Sequence, residues 1–236
     1  MRAFLVFLLL AVLGACAPHP QSLTISPPSH EVDASALAQK TVALVATTED
    51  GSQHTFCSGV WVSPTTILTA HHCVADWRQY DPVSYAVPAD VFGSNHEQRS
   101  KFETHLAVVL ANDEKHDLAL LRAILAPSHL VATLDDAPIA PGQFCQVMGH
   151  SLGMLMWSYS SGDIAAVRKL VVDEGDSPDL TWIQATVPIS PGNSGGGLFD
   201  ANGNLIGITS ATFRRGQNLN VFIHRMHITA FLRSLS

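Results

Sequence analysis

Three short segments of this 236-residue chain carry side chains that could act on one another: Leu68-Thr-Ala-His-His-Cys73, Lys115-His-Asp-Leu-Ala-Leu120 and Pro191-Gly-Asn-Ser-Gly-Gly196. They supply an imidazole, a carboxylate and a hydroxyl. A neutral hydroxyl is a poor nucleophile at neutral pH, so it needs an imidazole base within hydrogen-bond reach and a carboxylate that fixes the imidazole tautomer. Together the three segments offer those parts for acyl transfer. Singly, each has a plainer reading. A His beside a Cys is usually structural, Asp117 could be a solvated turn residue with Asp113 as its rival, and a Gly-rich stretch could be a simple bend. The apolar run Leu118-Ala-Leu-Leu121 favours Asp117, and the order His, Asp, Ser at separations of 45 and 77 residues favours a joint role.

These segments must be held by the elements around them. Sixteen Gly and thirteen Pro are more punctuation than a helical bundle tolerates, and an all-β chain with many turns fits better. Thr41–Thr47, His54–Val62 and Thr66–Thr69 are runs rich in β-branched and apolar residues, separated by turns at Glu49–Ser52 and Ser63–Thr65, so they read as a meander. Further strands are expected over Thr104–Leu110, Leu118–Arg122, Phe144–Met148, Ser160–Arg168, Trp182–Ala185, Gly197–Phe199, Leu205–Ser210 and Asn220–Ile223. Asn202-Gly203 marks a hairpin turn. Ile228, Phe231, Leu232 and Leu235 at helical spacing predict one closing amphipathic helix over Arg225–Leu235. The hairpin also excludes a rival assignment. Gly192-Asn-Ser-Gly-Gly196 fits the G-x-S-x-G elbow, with Asp200 and His224 following in the required order, but that elbow needs a helix directly after the Ser.

With these residues in view, the chain resembles the trypsin-like serine peptidases, from about Thr41 to the final helix. The resemblance implies an all-β fold of two antiparallel six-stranded β-barrels, chymotrypsin-like, with a C-terminal α-helix and the active site between the barrels. It implies His72 as general base, Asp117 as the carboxylate that orients it and Ser194 as nucleophile, with the backbone N–H groups of Gly192 and Ser194 as the oxyanion hole. His71 matches no motif position. A disulfide between Cys57 and Cys73 is implied beside the base. Cys145 would be a buried free thiol, since Asp200 stands where its partner would be. A base that must be neutral predicts activity falling on acidification near a pKa of ~6.5.

Departures from the family pattern narrow the reading. Asn193 stands where digestive members carry the Asp that pairs with a newly cut amino terminus, so Pro-Gly-Asn-Ser-Gly-Gly looks like the bacterial branch, including the high-temperature-requirement proteases and glutamyl endopeptidases. The former carry a peptide-binding domain after the protease; with 42 residues after Ser194, that domain is expected to be absent. The pocket base matches Pro188 or its neighbours Val187 and Ile189, none acidic, which argues against Arg or Lys at the cleaved position. Thr209 stands where glutamyl endopeptidases have a His. Small or medium apolar side chains are therefore expected at P1. Ser210, Ala211 and Thr212 are expected to bind the substrate backbone as an added strand. Protein or peptide substrates are the implied partners. The other class weighed is a catalytically silent protein-binding module on the same fold.

The amino terminus reads as an export signal. Arg2 precedes an apolar run from Ala3 to Cys16 that ends in small residues, and this run is shorter than the ~20 residues a spanning helix needs. Leu13-Gly14-Ala15-Cys16 resembles the bacterial lipoprotein signal, which implies acylation of Cys16 and, with Ala17 next, a membrane contact through that lipid at the outer membrane of the cell envelope. The alternative is cleavage after Ala17 and release as a periplasmic or secreted protein. The expected organisation is residues 1–15 as signal, 16–35 as a Pro- and Ser-rich tether and 36–236 as the peptidase domain. No cofactor is implied. His71-His72, His224 and His227 lack Cys or acidic neighbours at ligand spacing, so no metal is assigned. A net charge of −7 argues against nucleic acid as a partner.

Overall fold

Runs of apolar and β-branched residues, broken by Gly- and Asn-containing turns, dictate antiparallel strands, and in the computed structural model these close on themselves twice. Described are residues 33–79, 81–92, 98–169, 180–212 and 220–235. The signal, Cys16 and the tether up to residue 32 lie outside the described residues. The first barrel contains β1 (Thr41–Thr47), β2 (Gln53–Ser63), β3 (Thr66–Ala70), β4 (Pro82–Phe92), β5 (Gln98–Asp113) and β6 (Leu118–Ala123). The second contains β7 (Phe144–Ser151), β8 (Leu155–Lys169), β9 (Thr181–Ala185), β10 (Gly197–Phe199), β11 (Leu205–Thr212) and β12 (Asn220–His224). Around the first barrel the strands run β1-β2-β3-β6-β5-β4, and around the second β7-β8-β9-β12-β11-β10, so both halves share one topology. Closure leaves no long open sheet edge among the described residues.

Each barrel is filled from its own strands. Val42, Leu44, Trp61, Ile67, Tyr85, Val109 and Leu121 pack inside the first, and Val147, Ile164, Ile183, Leu198, Ile206 and Phe222 inside the second. A third cluster joins the two halves: Val60, Leu68, Leu118 and Leu120 meet Met148, Phe199, Ile208 and Val221. Burying a side chain of this size stabilises by roughly 1.5–3 kcal/mol, so the seam between the barrels is itself a core. That rigid seam carries the chemistry-bearing segments.

Two elements escape the sequence patterns. Strand β4 opens on Pro82 and contains Pro88, and Pro within a run argues against a strand. Here Pro88 sits where the β4/β5 register shifts, a place that tolerates a missing N–H donor. Helix α1 (Ala34–Lys40) is only seven residues long, too short to show a helical period. Asp33 caps it by accepting from Ala36 N at 2.8 Å, and it buries Leu37 and Ala38 against the seam. The helix begins at Ala34, ahead of the boundary expected at residue 36. Helix α2 (Arg225–Ser234) follows β12 directly, and His224 caps it by accepting from Met226 N. Ile228 and Phe231 face the seam.

The hairpin at residues 200–204 is built as its sequence indicates. The Asp200 carboxylate accepts from the N–H groups of Asn202 and Asn204, at 2.9 and 2.8 Å. A strand hairpin, not a helix, follows the Ser194 segment, which removes the elbow reading.

Cys57 of β2 and Cys73 are joined by a disulfide that closes a separation of 16 residues. Cys145 is buried as a free thiol, and burial, aided by Asp163, pushes its pKa up to about 12. Replacing both Cys57 and Cys73 by Ala should lower unfolding stability by about 3 kcal/mol in the chain-entropy model, read as a lower guanidinium midpoint. An unchanged midpoint would show that the link does not constrain the unfolded chain.

Candidate active site

Strand β3 ends at Ala70, and the chain turns at once into a single 3₁₀ turn, His71–Cys73, pinned at its far end by the disulfide to β2. Opposite it, a second 3₁₀ turn, Glu114–His116, ends at Asp117, whose φ of 53° places it in the left-handed region that Asp tolerates better than most side chains. The Asp117 carbonyl accepts from His71 N at 3.0 Å, so the two turns are tied through their backbones. This brings carboxylate to imidazole. Asp117 Oδ1 accepts from His72 N at 2.9 Å, and His72 Nδ1 lies 3.0 and 2.9 Å from Oδ1 and Oδ2. Ser210 Oγ, from the second barrel, donates to Oδ2 at 2.6 Å. Asp113, the rival carboxylate, serves the turn itself by accepting from His116 N and pairing with His116 Nδ1.

An ionised carboxylate can only accept, so the proton of neutral His72 sits on Nδ1 and its Nε2 lone pair is left free. Burial alone would raise the Asp117 pKa, but hydrogen bonds and charge from His72, with the Ser210 hydroxyl, hold it below the ordinary carboxylate value. In His72 the hydrogen bond to Asp117 dominates; it outweighs partial burial and raises the imidazole above 6.5. The imidazole is therefore held above the unperturbed value expected from the sequence.

The third segment forms a different device. Ser190-Pro191-Gly192-Asn193 makes a turn closed by Asn193 N to Ser190 O at 3.0 Å, with Pro second and Gly192 third at a φ of 97°. That is the type II pattern, which demands Gly in the third place. The Pro191 carbonyl accepts from Leu152 N at 2.6 Å in the β7–β8 hairpin. Since the peptide is trans, the Gly192 N–H is aimed to the opposite side. Neither the Gly192 nor the Ser194 N–H has a partner among the described residues. Asn193 is buried, and its Oδ1 accepts from Ser151 Oγ at 3.2 Å; a neutral amide anchors the turn here without an ion pair. Ser194 is fixed by its own carbonyl, which accepts from Ser58 N at 2.7 Å. Gly195 lies against β3, where an added Cβ would stand 2.1 Å from Thr69 Oγ1. Among the described residues, no hydrogen bond joins the Ser194 hydroxyl to His72.

The residues singled out for substrate binding divide into two groups. Thr209 is buried, and its N–H and C=O are taken by Gly196 and Gly195, so it supports the Ser194 segment from below. Pro188 is exposed, and its carbonyl accepts from Ser160 Oγ at 2.7 Å. Ala211 and Thr212 pair with Val221 and Asn220 of β12, while β10 pairs only with residues 205–208 of β11. The side-chain role of Ser210 has no local signal in the sequence, because its partner lies 93 residues away. Nor does any spacing point to Ser58 or His150, which meet beneath the turn. The grouping of possible metal ligands found among the described residues is Cys57, His72 and Cys73, whose sulfurs are bonded to each other.

Known proteins share this architecture. The family model described as the trypsin-like peptidase domain matches residues 57–208. A protein from Marinomonas sp. named "Probable periplasmic serine endoprotease DegP-like" is 31% identical over 111 residues, 47% of this chain and 23% of its own. One of the same name from Pseudomonas fulva is 30% identical over 149 residues, 63% of this chain and 27% of its own. The chain thus spans about a quarter of the length of these curated relatives. Among solved structures, the HtrA-type protease AlgW with tripeptide superposes with a TM-score of 0.69 at 26% identity, covering 88% of this chain and 64% of that one. The family match spans well over half of the residues and contains the Asp117–His72 pair and the Ser194 turn, so this chain belongs to the trypsin-like peptidase family.

Proposed function

We propose that the protein is an exported serine endopeptidase that cleaves peptide bonds through an acyl-enzyme. The observation that carries this reading is the His72 imidazole held at Nδ1 by Asp117, beside a Ser194 turn whose Gly192 and Ser194 N–H groups are unengaged among the described residues. Ser194 Oγ attacks the substrate carbonyl while His72 Nε2 takes its proton, and the two N–H groups receive the negative charge that develops on oxygen. His72 then returns the proton to the leaving amine. Water, deprotonated by the same imidazole, releases the acyl group and restores Ser194. The open bond between His72 and Ser194 is compatible with this sequence of steps, since such bonds tighten when substrate is seated.

A substrate strand would lie along Ser210–Thr212, and the non-acidic Val187, Pro188 and Ile189 favour a small or medium apolar P1 side chain. The relatives named as periplasmic support export. Acylation of Cys16, with attachment to the outer membrane, completes the proposed localisation.

A fluorophosphonate probe should label the wild type but not Ser194→Ala; a native protein that stays unlabelled would favour the silent binding module. The labelling rate should fall on acidification with a midpoint above 6.5, because the raised His72 must lose its proton to act. Asp117→Asn should lower the maximal rate by about 10³–10⁴-fold, and a rate flat from about pH 5 to 8 would remove His72 from the role of base. An alkyne palmitate analogue should label the full chain in a bacterial host and leave Cys16→Ser unlabelled; persisting label in that variant would refute acylation at Cys16.

A further inference from the structure

Behind the Ser194 turn lies a hydrogen-bond chain that the proposed chemistry does not use. His150 is fully buried, next to the last residue of β7. Its Nδ1 lies 2.8 Å from Ser58 Oγ, and Ser58 Oγ donates to the Gly192 carbonyl at 2.8 Å. A hydroxyl has one proton. Because Ser58 gives that proton to Gly192, His150 must supply the other hydrogen bond, which fixes it as the neutral Nδ1–H tautomer. Burial keeps it so, by pushing its pKa down to about 3.

The other ring nitrogen shows that packing alone does not account for the residue. Among the described residues Nε2 is buried without a partner, and the ring stands edge-on to Trp157 at 4.9 Å. An orphaned buried nitrogen costs free energy that an apolar side chain there would not incur. What the imidazole gains in return is the bond to Ser58. The His150 backbone meets the same turn, since its carbonyl would lie 2.1 Å from a Cβ added to Gly192.

We propose that His150, acting through Ser58, is a positioning residue for the oxyanion hole: the relay holds the Gly192 carbonyl back and thereby sets the aim of the Gly192 N–H. The inference rests on the peptidase reading of Ser194. Leu152 N fixes the peptide before Gly192 and Ser58 Oγ fixes the peptide after it, so the glycine cannot rotate without breaking one of the two bonds. Without the relay, the peptide after Gly192 keeps only the bond from Asn193 N to Ser190 O, and the flexible glycine can swing its N–H further from the reacting oxygen.

The test is the saturation kinetics of fluorophosphonate labelling on the folded protein. Ser58→Ala and His150→Leu should each lower the maximal labelling rate about 10- to 100-fold, with the half-saturating concentration within about twofold of wild type. The acid midpoint should not move, since His72 and Asp117 are untouched. His150→Asn, whose side-chain N–H can take the place of Nδ1–H, should stay within about threefold of wild type. An unchanged rate in His150→Leu overturns the inference, as does a His150→Asn as slow as the Leu variant, or a shifted midpoint. If His150→Leu does not fold, Ser58→Ala and His150→Asn decide the matter on the same measures. An unlabelled wild type sinks the peptidase reading and this inference together, whereas a labelled wild type with unresponsive variants sinks the inference alone.

Discussion

The carboxylate of Asp117 is the point on which both halves of the molecule converge. His72 reaches it from the end of β3 with two N–H groups, and Ser210 reaches it from β11 with its hydroxyl. One barrel alone would leave this largely buried anion under-coordinated, and an uncompensated charge in that position is expensive. The apolar seam of Leu68, Leu118 and Ile208 therefore does more than stabilise. It holds three strand ends in register so that their polar tips meet. A hydrogen bond supplied from each side also resists rotation of the carboxylate, and with it of the imidazole, whose Nε2 must keep a constant direction for the proposed proton transfer.

The Ser194 turn obeys the same logic with backbone groups. Its aim is set by neighbours from both barrels, Ser58 of β2 and Leu152 at the tip of the β7–β8 hairpin. Proline and glycine at the second and third positions predispose the turn, but propensity alone leaves the glycine peptide free to flip. Hydrogen bonds to the two successive carbonyls remove that freedom. Asn193 adds a neutral anchor, so the turn is held without the buried ion pair that digestive relatives of the family use.

What could be read from the sequence follows from how local each signal is. The runs of apolar and β-branched residues, β1 and β10 among them, and the hairpin at Asn202-Gly203 are encoded in adjacent residues, and their limits are close to those expected. Strand β4 was hidden by Pro88, because nothing local reveals that the register shifts there. Helix α1 was hidden by its length, and its burial depends on a seam made by distant strands. At the site, types and order singled out His72, Asp117 and Ser194 because each stands in a compact motif. Ser210, Ser58 and His150 contribute through partners 93, 134 and 92 residues away, distances at which spacing carries no information. The raised His72 pKa belongs to this second group, since it follows from how closely the carboxylate approaches.

Backbone strain is gathered in the same place. Among the described residues, the non-glycine positions with positive φ are Asp117, Leu152 and Trp157. A side chain in that region costs on the order of 1–3 kcal/mol and persists only where its surroundings over-determine it. Asp117 has hydrogen bonds from His72 and Ser210, Leu152 holds the Pro191 carbonyl, and Trp157 donates from Nε1 to the Thr41 carbonyl while packing against His150. Each strained residue is therefore one hydrogen bond away from His72, from the Gly192 turn or from the seam on which they rest. A barrel strand could have reached its neighbour at lower cost with ordinary dihedrals, and the rest of β7 and β8 does so. Two of the three strained residues, Asp117 and Leu152, set the direction of an imidazole and of an amide, the two directions on which the proposed chemistry depends.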